Sequence, residues 1–138
     1  MTQQSRLRIN AVVDEIERAC AFVSINAREA GMDDESIYRC YLSVEEICTN
    51  IIEHGYHFEG QGRLIEIVCR RDERWFTIIV IDDAPAFNPL QQEDPDPKAP
   101  LMQRPSGGWG IYFVKKFMDR IEYRYCQQRN CLIISKRL

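Results

Sequence analysis

Proline is missing from most of this chain. All six prolines fall between residues 84 and 107, in "APAFNPLQQEDPDPKAPLMQRPSG", so the rest of the chain is free of the residue that most firmly breaks helices and strands. Histidine is scarce too, with only His54 and His57, and the six cysteines form no Cys-x-x-Cys pair. That count leaves no zinc-ligand spacing, and Cys20, Cys40, Cys48 and Cys69 read instead as small buried hydrophobes. No apolar run approaches the roughly 20 residues that span a bilayer, and no partnership with a membrane is expected. The amino-terminal "MTQQSRLRIN" has no signal-peptide core, so a cytoplasmic location is expected. A net charge of −3 supplies no basic field for nucleic acid. A chain of 138 residues, 45% hydrophobic and 28% charged, suits one soluble domain with a core of its own, 1–138, with no repeat and no dividing linker.

What is present follows two periods. "RLRIN" alternates and predicts a short edge strand at 6–10. Asn10 is then expected to cap a helix over 11–30, whose apolar positions Val12, Val13, Ile16, Ala19, Cys20, Val23 and Ala27 recur at three and four, with Gly31 as its stop. A second helix is expected over 34–55, capped by Asp33 or Asp34, with the stripe Ile37, Cys40, Tyr41, Val44, Ile47, Cys48 and Ile51. "RLIEIVCR" and "RWFTIIVID" alternate as two strands joined by a tight turn at Arg71 to Arg74. The proline-rich stretch is expected to be a long loop with no regular element. "GWGIYFVKKFMD" predicts a helix begun at a glycine cluster, and "RIEYRYCQQ" with "NCLIISKRL" predicts a closing hairpin. The order β-α-α-β-β-loop-α-β-β predicts an α+β two-layer sandwich, a mixed, mostly antiparallel sheet with helices on one face.

Three stretches carry chemistry. In "VEEICTNIIEHGY", Glu46, Asn50 and Glu53 or His54 lie along one side of the second helix, bordering its apolar stripe. The plainer reading of that line is a solvated edge. In "IVIDDAPAF" an apolar strand ends in Asp82 and Asp83, placed to accept a hydrogen bond from an amine or simply to turn the chain. In "SGGWGIYFVKK", Gly107, Gly108 and Gly110 lead into a helix, where bare backbone amides at the positive end form an anion site, or where glycines serve only as flexible caps. Neither GxxxxGK[ST] nor a GxGxxG after a first strand occurs, which excludes the P-loop and dinucleotide fingerprints.

Taken in order, polar helix, acidic strand end, proline-rich loop and glycine-started helix resemble the GHKL (Bergerat) ATP-binding fold shared by histidine kinases and gyrase, over about residues 8–136. "EEICTNIIEHGY" is similar to its N-box, "DDAPAF" to its first glycine box and "GGWGIYFVKKFMD" to its second. The Glu-x-x-x-Asn pattern with a His-Gly-Tyr tail, the length and "FMDRIEY" resemble the anti-sigma-factor serine kinases of the RsbW and SpoIIAB type. That resemblance implies a role for each site residue. Asn50 would hold Mg²⁺, Glu46 would orient or deprotonate a partner's hydroxyl, and Asp82 would accept from the adenine amine. Gly107, Gly108 and Gly110 would wrap the phosphates of ATP, residues 88–106 would form the lid, and Lys115 is placed either to reach a phosphate or to stay a surface lysine. His54 would make a structural hydrogen bond or contact the site.

Two departures stand out against the family pattern. Ala84 and Ala86 occupy positions in the nucleotide-binding corner where the first glycine box usually has glycine, a strain if either backbone needs a positive φ. Cys131 stands at the place where the family tends to have a threonine supporting the adenine-binding aspartate. The implied function is a regulatory serine/threonine protein kinase, an anti-sigma factor or similar partner switch. It would sequester a sigma factor or other regulator and phosphorylate a STAS-domain antagonist, working as a homodimer. The competing reading is an ATP-sensing sequestering module with little or no catalysis. A metabolic enzyme has no support, for the chain offers neither a second substrate domain nor a nucleophile motif.

Overall fold

In a computed structural model the structure describes residues 2–91, 93–96, 98 and 109–138, with the backbone alone at Trp109. Strand β1 (Gln3–Asn10) leads through a 3-10 turn (Val13–Glu15) into helix α1 (Ile16–Glu29), followed by helix α2 (Asp34–Asn50) and a π-helical extension (Ile51–Gly55). Strands β2 (Leu64–Arg71) and β3 (Trp75–Asp82) form a hairpin. A short 3-10 turn (Pro89–Gln91), helix α3 (Trp109–Phe117) and the hairpin of β4 (Arg120–Cys126) and β5 (Arg129–Arg137) complete the chain. The sheet order is β1-β2-β3-β5-β4, and every neighbouring pair is antiparallel. The expected mixed, mostly antiparallel sheet is found, and among the described residues every pairing in it is antiparallel.

Strand parity sets what faces the helices. Along β3, Phe76, Ile78, Val80 and Asp82 are buried while the residues between them are only partly so. Ile65, Ile67, Cys69, Leu132 and Ile134 join them from β2 and β5, and Cys20, Val23, Val44, Ile47 and Cys48 meet them from α1 and α2. The four cysteines predicted to be buried are buried, and desolvation holds the thiols of Cys20, Cys40 and Cys69 up at about 12. All six cysteines are free thiols.

Helix boundaries follow local chemistry. Asp33 accepts from the Ser36 amide at 2.8 Å and caps α2. Gly31, at φ 87°, ends α1 in the left-handed region. Asn10 does not cap α1 as expected. It is the last ladder residue of β1, paired with Leu64, and its own amide donates to the Glu15 carboxylate at 2.8 Å. The proline-rich loop is not wholly irregular either: Asn88 accepts from the Leu90 amide at 2.9 Å, and Leu90 packs against the core from the 3-10 turn.

The β4–β5 hairpin turns on Gln127 and Gln128, at φ 53° and 61°, without a glycine. Positive φ at both central residues is the type I′ arrangement, which favours Asn-Gly. Gln128→Gly should therefore stabilise the chain by up to about 1 kcal/mol. A urea midpoint that rises with unchanged slope would bear this out, and a fall would not.

Candidate nucleotide-binding site

The outer turns of α2, the end of β3 and the start of α3 converge. Asn50, Asp82 and Ala84 line one cavity of about 50 Å³ together with Gly55, Ile111 and Asn130, and Phe87 and Pro89 form part of its wall. Asp82 reaches this cavity because it occupies an inward position of β3, next in the series after Val80. It is 6% exposed. Its Oδ1 accepts from the Ala84 amide and from Asn130 Nδ2, both at 2.9 Å, and among the described residues no donor is paired with Oδ2. Burial pushes its carboxyl above the ordinary range; the Asn130 and Ala84 hydrogen bonds pull the other way, and Asp83 adds to the rise.

Asn130 is the residue that sequence reasoning missed. Its amide nitrogen donates to Asp82 and also to the carbonyls of Ala84 (3.0 Å) and Pro85 (3.3 Å). Its carbonyl oxygen accepts from the Phe87 amide at 3.1 Å and from the Tyr123 hydroxyl. The expectation placed the support of Asp82 at Cys131, one residue on. Asn130 pairs with Asp82 across β3 and β5 and shares its inward face, whereas Cys131 pairs with Ile81 and shares the outward one. The signal available in sequence was an asparagine at the first position of an alternating apolar strand.

Neither alanine of the corner is strained. Among the described residues, positive φ outside glycine occurs at His57, Phe58, Gln127 and Gln128 only. Ala84 is buried, and its methyl lies 3.1 Å from where a Cβ on Gly55 would stand. The small residue needed at this contact thus sits on the helix instead of the corner. Ala86 is exposed and lies outside the cavity lining.

Glu46 and Gly110 meet. A Cβ at Gly110 would stand 2.3 Å from Glu46 Oε2, the far end of a flexible side chain, so the bare Cα leaves the carboxylate room to lie against the first turn of α3. Partial burial raises the Glu46 carboxyl, and Glu45 adds to the rise. Gly107 and Gly108 lie outside the described residues, as does most of the second half of the expected lid. Lys115 does not line the cavity; its ammonium pairs with Asp94 at 2.7 Å. His54 is exposed on the π-helical turn, with its ring 4.0 Å from its neighbour Glu53. The wider turn carries both side chains away from the line of Glu46 and Asn50.

This geometry meets a decisive comparison. The model of the histidine kinase-like ATPase domain matches residues 9–136. The chain belongs to that family. It is 28% identical over 100 residues to the serine-protein kinase RsbW of Bacillus velezensis, covering 70% of this chain and 62% of that protein. To the RsbW of Bacillus thuringiensis it is 31% identical over 100 residues, 70% of this chain and 61% of the relative. The matched stretch thus spans about three fifths of these relatives' own length. A crystal structure of the RsbU and RsbW domains of a Mycobacterium tuberculosis protein superposes with a TM-score of 0.69 at 15% identity, over 99% of this chain and 32% of that one. The fold is therefore that of the histidine kinase-like ATPases, as the order of motifs implied.

Asp82 gives a test that needs no ligand. Its raised pKa means that the native state holds the proton longer than the unfolded chain does. Its contribution to stability is greatest near or below the ordinary value of 3.8 and is lost as pH rises through the higher native value. Asp82→Asn keeps an oxygen for Ala84 and Asn130 but cannot ionise. Its melting temperature relative to the parent should rise between pH 4 and pH 7. Paired melts that show the variant losing ground over that interval would contradict the assignment.

Proposed function

We propose that this chain is an ATP-dependent serine/threonine protein kinase of the partner-switching kind, an anti-sigma factor or a regulator built like one. The observation that carries the reading is the meeting of Glu46 with Gly110 beside a cavity shared by Asn50 and Asp82. A family match alone supports ATP use; the placement of these four residues supports transfer of a phosphoryl group to a protein.

The residues present fit such a ligand. Asp82 lines the cavity, and among the described residues no donor is paired with its Oδ2, which suits the exocyclic amine of adenine. The Asn50 amide oxygen, at the same cavity, suits Mg²⁺, which keeps phosphate oxygens and waters and needs few protein ligands. When bound, ATP with Mg²⁺ would supply the γ-phosphoryl group and the neutralising charge. Glu46 would accept the proton of an incoming serine or threonine hydroxyl, and its raised pKa brings it nearer to the operating pH of a base. The backbone at Gly110, with Gly107 and Gly108, would hold the phosphates at the positive end of α3. A cavity of about 50 Å³ has room for only a few waters at roughly 10–15 Å³ each, so a purine would enter with the Phe87–Pro89 wall displaced.

The acceptor would be a STAS-domain antagonist and the sequestered partner a sigma factor or another regulator, with the kinase acting as a homodimer in the cytoplasm. Phosphate on the antagonist's serine would add charge to their interface and separate the two. The roles are separable by mutation. Asn50→Ala should weaken Mg²⁺-dependent ATP binding by calorimetry while the fold remains. Glu46→Gln should leave ATP binding close to the parent and cut single-turnover transfer to the antagonist about 10²-fold, the usual loss for a positioned base, or less if the transition state is largely dissociative. Equal transfer rates with and without the carboxylate would move the chain to the alternative, an ATP-sensing sequestering module.

A further inference from the structure

The π-helical extension of α2 ends on Tyr56, whose amide donates to the Ile51 carbonyl at 2.9 Å. π-helical turns of this kind occur often at functional sites. Here the extension delivers two consecutive residues to the corner after β3: Gly55 against Ala84, and Tyr56 onto Asp83. The Tyr56 hydroxyl donates to Asp83 Oδ1 at 2.6 Å and accepts from the Asp83 amide at 3.0 Å, so it closes a ring with both the side chain and the backbone of one residue. Arg63 covers this ring from outside, with its guanidinium 5.6 Å from the Tyr56 ring centre and 3.5 Å from Asp83 Oδ1. Burial and the Asp83 carboxylate both hold the Tyr56 phenol protonated far above neutral pH, so the donor is present throughout the working range.

We infer that Tyr56 is a positioning residue that locks the Asp82–Phe87 corner to the end of α2, and through it sets the distance between the base-reading and metal-side halves of the pocket. Asp83 follows Asp82, the last residue of β3, and is exposed where Asp82 is buried, so the two adjacent side chains lie on opposite sides of the chain. Fixing Asp83 from the outside therefore fixes the direction of Asp82 on the inside. Asn50 sits on the same helix as the extension, so the hydroxyl ties together the two elements that carry the pocket's polar groups. The inference about nucleotide affinity rests on the ATP-binding reading above; the inference about the corner does not.

Tyr56→Phe removes one oxygen and keeps the ring beneath Arg63. In the nucleotide-free chain, amide exchange at Ala84 and Phe87 should speed up by about threefold to tenfold, the loss expected of one hydrogen-bonded anchor. Neither amide touches Tyr56: they donate to Asp82 and Asn130, so their exchange reports the corner as a unit. Exchange in β1 and α1 should stay unchanged. Asp83→Asn keeps an oxygen for the Tyr56 hydroxyl and should retain near-parental exchange, while Asp83→Ala, which keeps only the backbone amide bond to that hydroxyl, should show a smaller increase than Tyr56→Phe and add little to it in the double variant. Calorimetry with ATP should show a loss of the same threefold to tenfold size. Exchange at Ala84 and Phe87 within twofold of the parent, or an increase spread evenly over the whole chain, would overturn the positioning role. A parent chain that fails to bind ATP would instead remove the proposed function and leave the exchange result to decide the role of Tyr56.

Discussion

A carboxylate turned inward at the end of the central strand is the constraint around which the pocket is built. β3 would bury Asp82 at a cost of several kcal/mol if its oxygens went unpaired. The chain answers with donors from two directions, the Ala84 amide two residues on and the Asn130 amide 48 residues away. Asn130 in turn has to be satisfied, and its remaining capacity holds Ala84, Pro85, Phe87 and Tyr123 in place. One buried charge thus orders the corner, the start of the loop and the β4–β5 hairpin together. The oxygen of Asp82 that this network leaves is the one available to a ligand.

Much of this was legible in the sequence, and the reason is periodicity. The inward position of Asp82 follows from counting by two through Phe76, Ile78 and Val80, and the shared edge of Glu46 and Asn50 follows from counting by four. What periodicity cannot supply is the register between distant strands. Asn130 and Cys131 are adjacent in sequence, and a slip of one residue exchanges the face that each presents. Only the pairing of Asp82 with Asn130 decides which of them meets the carboxylate. The helix expected over 34–55 is present, as α2 and its π-helical extension, but its polar line does not run the full length. Its polar line was drawn at 100° per residue to its end, but the last five residues wind more widely and turn Glu53 and His54 to solvent.

The two alanines of the corner show how a departure from a family pattern is absorbed. Glycine at such a position gives either a backbone freedom or a space. Positive φ is absent at Ala84 and Ala86, so freedom is not what the corner requires here. Space is required, and Gly55 provides it from the opposing helix. A single-sequence reading compares Ala84 with its own motif and finds a defect; the contact shows that the small residue has moved across the interface. Gly110 against Glu46 is a similar device at the start of α3, where a bare Cα leaves room for the carboxylate.

The two ends of the site are held by different kinds of interaction. The base side is fixed by buried hydrogen bonds among Asp82, Asn130 and the corner backbone, where each lost partner would leave a desolvated group at about 1–3 kcal/mol. Asp94 pairs with Lys115 of α3, their side chains 51% and 25% exposed, while the neighbouring Pro95 is buried. Such pairs contribute only about 0.2–1 kcal/mol and weaken in salt. Among the described residues Lys115 is engaged with Asp94. Entry of a purine by displacement of the Phe87–Pro89 wall would therefore have to loosen the Phe87–Asn130 hydrogen bond, whereas a rearrangement at Asp94 and Lys115 would leave the hydrogen-bonded corner intact.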